Sequence, residues 1–145
     1  MTDIMPLDRQ LCFSLYSASL AMTQLYKPLL EPLGLTYPQY LIMLILWEKD
    51  GVSLKDIGCR LGQKSGALTP VLKRLEQDGL VKRVRDEKDE RALNISLTEK
   101  GEALRQPASK VAPCVAEACG MSFPELIDLK AKLEGLRKNL LDSQK

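Results

Sequence analysis

Apolar positions recur with a helical period along most of this chain and with a period of two over Ala92–Leu97. The first helix is predicted from Asp8, as N-cap, to the block at Pro28. Thr36-Tyr37-Pro38-Gln39 has capping-box spacing with proline in the first turn, and opens a second helix that Asp50-Gly51 closes after Lys49. Leu41, Leu44 and Ile45 are its expected buried residues. Ser53 caps a short third helix over Leu54–Leu61, with Leu54, Ile57 and Leu61 inward and Gly62 as the stop. A fourth helix ends at Gln77-Asp78-Gly79. It starts either at Thr69-Pro70, read as cap and first position, or earlier with Ser65 as the cap, forgoing the hydrogen bond that Pro70 cannot make. Leu68, Leu72 and Leu75 face one way, and Lys73 and Arg74 face outward.

Leu80–Arg85 is short, β-branched and basic, and reads as a strand. In Ala92–Leu97, Leu93, Ile95 and Leu97 alternate with Asn94 and Ser96, so the charged stretch between the two strands is a hairpin tip. Thr98 caps a fifth helix that Pro107 and Pro113 interrupt. Ser122-Phe123-Pro124-Glu125 is a second capping box. It opens a helix with Leu126, Leu129, Leu133, Leu136 and Leu140 at 3-4-3-4 spacing, either a helix-pairing seam or a face packed on its own domain. The expected fold is mainly α (α+β), one domain over residues 1–145. Its centre, 36–98, is a winged helix-turn-helix, and the flanking parts, 1–35 and 99–145, supply dimerisation helices.

Hydrophobic residues at 45% and charged residues at 28% fit a folded globular chain. The N-terminus carries no secretion pattern and no apolar run reaches membrane-spanning length, so a cytoplasmic location without membrane contact is expected. The net charge of +2 says little about partners; its placement says more. The four cysteines form no C-x-x-C pair, so no metal site or cofactor is expected. With no histidine in the chain, Ser-His-Asp and Cys-His hydrolase chemistry is excluded.

The order helix, turn, helix, strand, charged turn, strand suits double-stranded DNA. The second helix of the pair presents its N-terminal end, where Ser65, Gly66, Ala67 and Thr69 are small enough for close approach to a major groove. Lys64, Lys73 and Arg74 can meet phosphates, and Arg85, Lys88 and Arg91 on the wing can reach the backbone or a minor groove. A winged fold used for protein contact is the weaker alternative, because the basic residues fall where a duplex lies.

Cys12, Tyr16, Ser19, Thr23 and Tyr26 form a polar stripe on one side of the first helix. At about 1.5 Å rise per residue, Cys12 and Tyr26 lie roughly 21 Å apart along the axis. A tyrosine can serve that thiol only from elsewhere, for instance from an antiparallel second subunit. Cys12 is then either inert core filling or a redox switch among phenol hydroxyls; Cys59, in the apolar third helix, reads as core.

The run G-A-L-T-P-V-L-K-R-L-E-Q-D-G-L from Gly66 and D-E-R-A-L-N-I-S-L-T-E-K-G from Asp89 resemble the MarR family of dimeric transcription regulators. Within it, L-C-F-S-L-Y-S-A-S from Leu11 and L-Y-K-P-L-L-E-P-L-G-L-T-Y-P-Q-Y from Leu25 resemble the organic hydroperoxide resistance regulators, OhrR. The resemblance implies that Cys12 is a peroxide-sensing cysteine and that Tyr26 and Tyr37 hydrogen-bond it from the partner subunit, with Tyr16 close by. It implies that Arg91 enters the minor groove with Asp89 in support. It also implies, for two-cysteine members, a resolving thiol late in the partner chain. Glu117 stands at the aligned position; Cys119 and Cys114 are the nearby candidates, Cys119 preferred because Gly120 beside it loosens the backbone.

The implied function is a homodimeric repressor that leaves a pseudo-palindromic operator when organic hydroperoxide oxidises Cys12. A thiolate is the attacking species, and a helix N-terminus and phenol donors favour it. Apolar neighbours (Leu11, Phe13, Leu15, Met22) suit an organic peroxide. One rival is a regulator relieved by a small aromatic ligand in the dimer cleft. Another is a thiol peroxidase, against which the DNA-reading pattern and the lack of histidine argue; no enzymatic activity is expected.

Overall fold

The fold comes from a computed structural model, which describes residues 3–85, 88 and 93–144. Two compact units divide the chain, Met1–Val111 and Ala112–Lys145.

In the first unit, helix α1 spans Leu11–Leu30. Its N-cap is Gln10 and not Asp8, which lies inside a 3-10 turn, Leu7–Arg9, closed by Arg9 and Gln10 amides on the Pro6 and Leu7 carbonyls. Pro28 does not end the helix: it forfeits its own hydrogen bond, but the Glu31 amide still reaches the Lys27 carbonyl. Helix α2, Tyr37–Glu48, begins at the expected capping box. The Gln39 amide donates to the Thr36 hydroxyl at 3.4 Å and the Thr36 amide donates to Gln39 Oε1 at 2.8 Å. The side-chain carbonyl oxygen of Gln39, a residue 4% exposed, thereby has its donor. Ile42, Met43 and Leu46 form the centre of the core, whereas Leu44, expected inside, is 39% exposed. Nearly every side chain of α2 is apolar, so periodicity does not single out the side that stays open.

Strand β1, Val52–Ser53, is followed by α3, Leu54–Leu61, capped by the Ser53 hydroxyl on the Asp56 amide. Gly62 ends α3 at φ 69°, the left-handed region open to glycine. Cys59, expected in the core, is exposed. It lies two residues past the buried Ile57, about 200° round the helix and so on the far side. Helix α4, Ser65–Gln77, starts near the earlier of the two positions, but Ser65 is its first residue and Lys64, with no side-chain cap bond, is the N-cap; Pro70 lies inside it and Leu68, Leu72 and Leu75 are buried.

Strands β2, Val81–Arg85, and β3, Leu93–Leu97, pair antiparallel from Val81↔Leu97 to Arg85↔Leu93. The short β1, with no counterpart in the sequence pattern, adds to the other edge of β3 for the order β1-β3-β2. Trp47 Nε1 donates to the Gly101 carbonyl at 3.0 Å, tying α2 to α5, Glu99–Ala103. A Cβ at Gly101 would lie 2.1 Å from the Leu80 carbonyl oxygen, so only glycine fits there. Thr98 caps α5 as expected, and the chain then breaks into α6, Arg105–Ala108, and α7, Val111–Ala118.

Most of α7 and helix α8, Phe123–Asp142, make the second unit. The Ser122–Glu125 capping box opens α8, and hydrogen bonds from Ser122 hold the Glu125 carboxyl below its ordinary value. No residue of α8 is buried; Leu129, Leu133 and Leu140 stand 42%, 41% and 51% exposed. No single helix among the described residues is long and apolar enough to cross a membrane.

Candidate functional site

Cys12 is the second residue of α1 and its thiol is exposed. The start of α1 at Leu11 brings it into the first turn, closer to the positive end of the helix than a start at Asp8 implies. Its Sγ donates to Gln10 Oε1 at 3.4 Å, and Gln10 Nε2 donates to the Met5 carbonyl at 3.0 Å. One side-chain amide therefore bridges the thiol and the preceding segment.

Tyr26 lies on the last turns of the same unbroken helix. There its ring meets Tyr37, the first residue of α2, with centroids 4.7 Å apart and planes tilted by 47°. Tyr40 is the third member, 5.7 Å from Tyr26 and 6.5 Å from Tyr37. Burial raises the Tyr37 phenol above its ordinary value. Burial and then the neighbouring Tyr37 raise that of Tyr40. Both groups stay protonated, and so remain hydrogen-bond donors, well beyond neutral pH. A cavity of about 470 Å³ opens beside Tyr37 and Thr23 and is lined further by Leu30, Leu35 and Lys27. Within the chain the phenols thus gather at one end of α1 and Cys12 sits at the other, with Tyr16 between them, 64% exposed.

Tyr40 and Gln10 were not singled out in the sequence. A signal for Tyr40 existed, since it follows Tyr37 by three residues and therefore shares its helix face. Gln10 gives no such signal without knowing where α1 starts.

The late cysteines differ in setting. Cys114 is exposed within α7, on the same face as Glu117 three residues on. Cys119 is half-buried just past α7, its amide donating to the Val115 and Ala116 carbonyls. Gly120 follows at φ 66°, its amide donating to the Glu117 carbonyl at 3.2 Å just past the end of α7.

The basic surface follows α4 and the wing. Lys64 is the N-cap residue of α4, and Lys64, Ser65, Gly66, Ala67, Thr69, Lys73 and Arg74 are all exposed. A Cβ on Gly66 would meet nothing within 4 Å, so no packing inside the chain requires that glycine. Thr69 Oγ1 donates to the Ser65 carbonyl at 2.9 Å, and Arg74 pairs with Asp78 at 3.6 Å. Arg85 and Lys88 are exposed on the wing, while Asp89 and Arg91 lie outside the described residues. Among the described residues no group of His, Cys, Asp and Glu is arranged to hold a metal ion.

A family profile described as transcriptional regulator SarA/Rot matches residues 24–106. The chain is 46% identical over 138 residues to the organic hydroperoxide resistance transcriptional regulator of Bacillus subtilis (strain 168), across 95% of this chain and 94% of that one. It is similar to the solved structure of reduced AbfR bound to DNA, with TM-score 0.81, 38% identity and coverage of 96% and 95% of the two chains. Its similarity to the disulfide-formed AbfR structure is lower in shape at equal kinship, TM-score 0.62 at 39% identity over 94% and 90%. The chain belongs to the MarR family, among the transcription regulators of the organic hydroperoxide resistance (OhrR) type.

Proposed function

We propose that this regulator is a homodimeric repressor that senses organic hydroperoxides through Cys12 and releases a pseudo-palindromic operator on oxidation. The carrying observation is the separation of thiol and phenols along one rigid helix. In an antiparallel pair of chains, each Cys12 meets Tyr26 and Tyr37 of the partner subunit. Residues 1–35 and 99–145 form the dimerisation arms and 36–98 the DNA-reading part.

The thiolate attacks the distal peroxide oxygen. An S–O bond forms to the terminal OH oxygen, the O–O bond breaks, and the alkoxide leaves as the alcohol by taking up from solvent the equivalent of the proton the thiol released, giving a sulfenic acid. Phenol O–H groups donate to sulfur while it is charged. A thiol at Cys114 or Cys119 of the partner subunit then attacks the sulfenic sulfur; a disulfide forms and water leaves. The cavity beside Tyr37 is lined mostly by apolar surface, which favours a peroxide with an organic tail.

On the DNA side, the small exposed residues at the start of α4 let its end approach base edges, with Gly66 serving an outside surface because nothing inside needs it. Lys64, Lys73, Arg74, Arg85 and Lys88 meet phosphates, and Arg91, supported by Asp89, reaches the minor groove. A bridge that drags the arms changes the spacing of the two reading units and weakens both half-site contacts together.

The test is operator binding before and after one equivalent of cumene hydroperoxide. Cys12→Ser is expected to bind the operator as the reduced protein does and to ignore the peroxide; release of the serine variant on oxidation sinks the sensor assignment. Non-reducing electrophoresis of the oxidised protein is expected to show a covalent dimer, and its loss in Cys114→Ser or Cys119→Ser names the resolving thiol.

A further inference from the structure

We infer that Tyr40 is a positioning residue for the sensor: its buried ring is the wedge that holds the Tyr26 and Tyr37 phenols in register, and it works through the ring and not through its hydroxyl. The inference rests on the proposed role of those two phenols and deepens it.

Tyr26 and Tyr37 belong to different helices, so nothing covalent and local fixes one ring against the other. Tyr40 reaches both, and all three centroid distances, 4.7, 5.7 and 6.5 Å, lie where tilted aromatic pairs attract. Of the three rings only Tyr40 is buried, at 2% exposure. Its backbone is held as well, because its amide donates to the Thr36 carbonyl at 2.9 Å, directly behind the capping box. The box therefore fixes the backbone of Tyr37 and Tyr40, and the Tyr40 ring passes that placement across to Tyr26 on α1. Tyr40 is anchored in the core and is no donor to the sulfur itself; its neighbours on either side are the phenols that are.

Removing the ring takes away the flat surface against which both phenols rest, and their hydroxyls lose the shared placement a charged sulfur needs. Displacing a positioning group by about 1 Å can slow a reaction on the order of a hundredfold, so a loss of about tenfold or more is expected here. The measurement is the rate at which cumene hydroperoxide consumes the Cys12 thiol at neutral pH, alongside the operator affinity of the reduced protein as the check on folding. Tyr40→Met keeps the bulk without the ring. It is expected to bind operator normally when reduced and to oxidise at least about tenfold more slowly. A Tyr40→Met protein that binds operator and oxidises at the wild-type rate overturns the inference.

If Tyr40→Met does not fold, Tyr40→Phe decides. It keeps the ring, so a slow but operator-competent Tyr40→Phe overturns the wedge by assigning the role to the hydroxyl, and a rate within about twofold of wild type supports it when the ringless Tyr40→Leu, operator-competent, is at least about tenfold slower; a wild-type rate in Tyr40→Leu overturns it. Tyr26→Phe and Tyr37→Phe in the same assay separate this inference from the reading beneath it. Wild-type rates in those two sink the phenol role itself, whereas slow rates there with a normal Tyr40→Met sink only the wedge.

Discussion

Helices α2 and α8 meet the same solvent with opposite results. In α2, twelve residues long, seven side chains are buried by the chain's own first unit. In α8, twenty residues long, none is buried, although leucine recurs along it at 3-4-3-4 spacing. A helix apolar on nearly every side finds cover for most of it within its fold, with Leu44 left open, whereas a helix with one apolar stripe presents a seam. Leaving several leucines half in water costs about 25 cal/mol for each Å² of apolar surface. That cost is removed when a second copy covers the seam, as the proposed dimer requires. The largest predicted effect breaks this side of the comparison. Leu129→Lys with Leu133→Lys is expected to turn the dimer into monomer by light scattering at micromolar concentration. Operator affinity is then expected to fall by about a hundredfold or more, because two linked half-site contacts become one. A lysine variant that stays dimeric and binds the operator removes α8 from the interface.

The matching change in the first region acts on folding and not on assembly. Leu72 is 1% exposed on α4, against the core that α2 dominates. Leu72→Ala is expected to cost about 3 kcal/mol in urea unfolding, through lost burial and the cavity left behind. Thr36→Ala, which removes half of the α2 capping box, is expected to cost about 1 kcal/mol. Both proteins should remain dimeric in the absence of denaturant. If Leu72→Ala leaves the unfolding midpoint in place, the core is not centred where α2 and α4 meet.

The sequence made these regions legible to different depths. Both capping boxes, the α3 cap at Ser53 and the α5 cap at Thr98 follow from side-chain chemistry confined to four neighbouring residues, and all are present. The distance between Cys12 and Tyr26 was equally legible, because helix rise is fixed whatever the tertiary context. Burial was harder where the pattern is uniform or short. Leu44 escaped because α2 is apolar on most sides, and Cys59 because a helix of eight residues leaves little room to define its arc. Strand β1 has two residues, too few for any period to show. The shared face of Tyr37 and Tyr40 is legible, but the contact of Tyr40 with Tyr26, fourteen residues back on another helix, comes only from packing.

The smallest predicted effect sharpens the comparison through pH. All the tyrosines of the chain lie between Tyr16 and Tyr40, so titrating phenols touches the first region and leaves α8 without a titrating tyrosine. Burial lifts Tyr37, and burial with the neighbouring Tyr37 lifts Tyr40, above the ordinary phenol value. The folded state therefore holds these protons to higher pH than the unfolded chain does. Their contribution to stability is complete below the unfolded value, about pH 10, and is lost as pH rises through the folded values. Lysines titrate in the same range, so the urea midpoint must be followed against the Tyr37→Phe and Tyr40→Phe proteins. Each variant is expected to lose part of the alkaline decline that the native chain shows. A decline of equal steepness in all of them would mean that the phenols titrate alike folded and unfolded, and that Tyr37 and Tyr40 are not withdrawn from water where α1 meets α2.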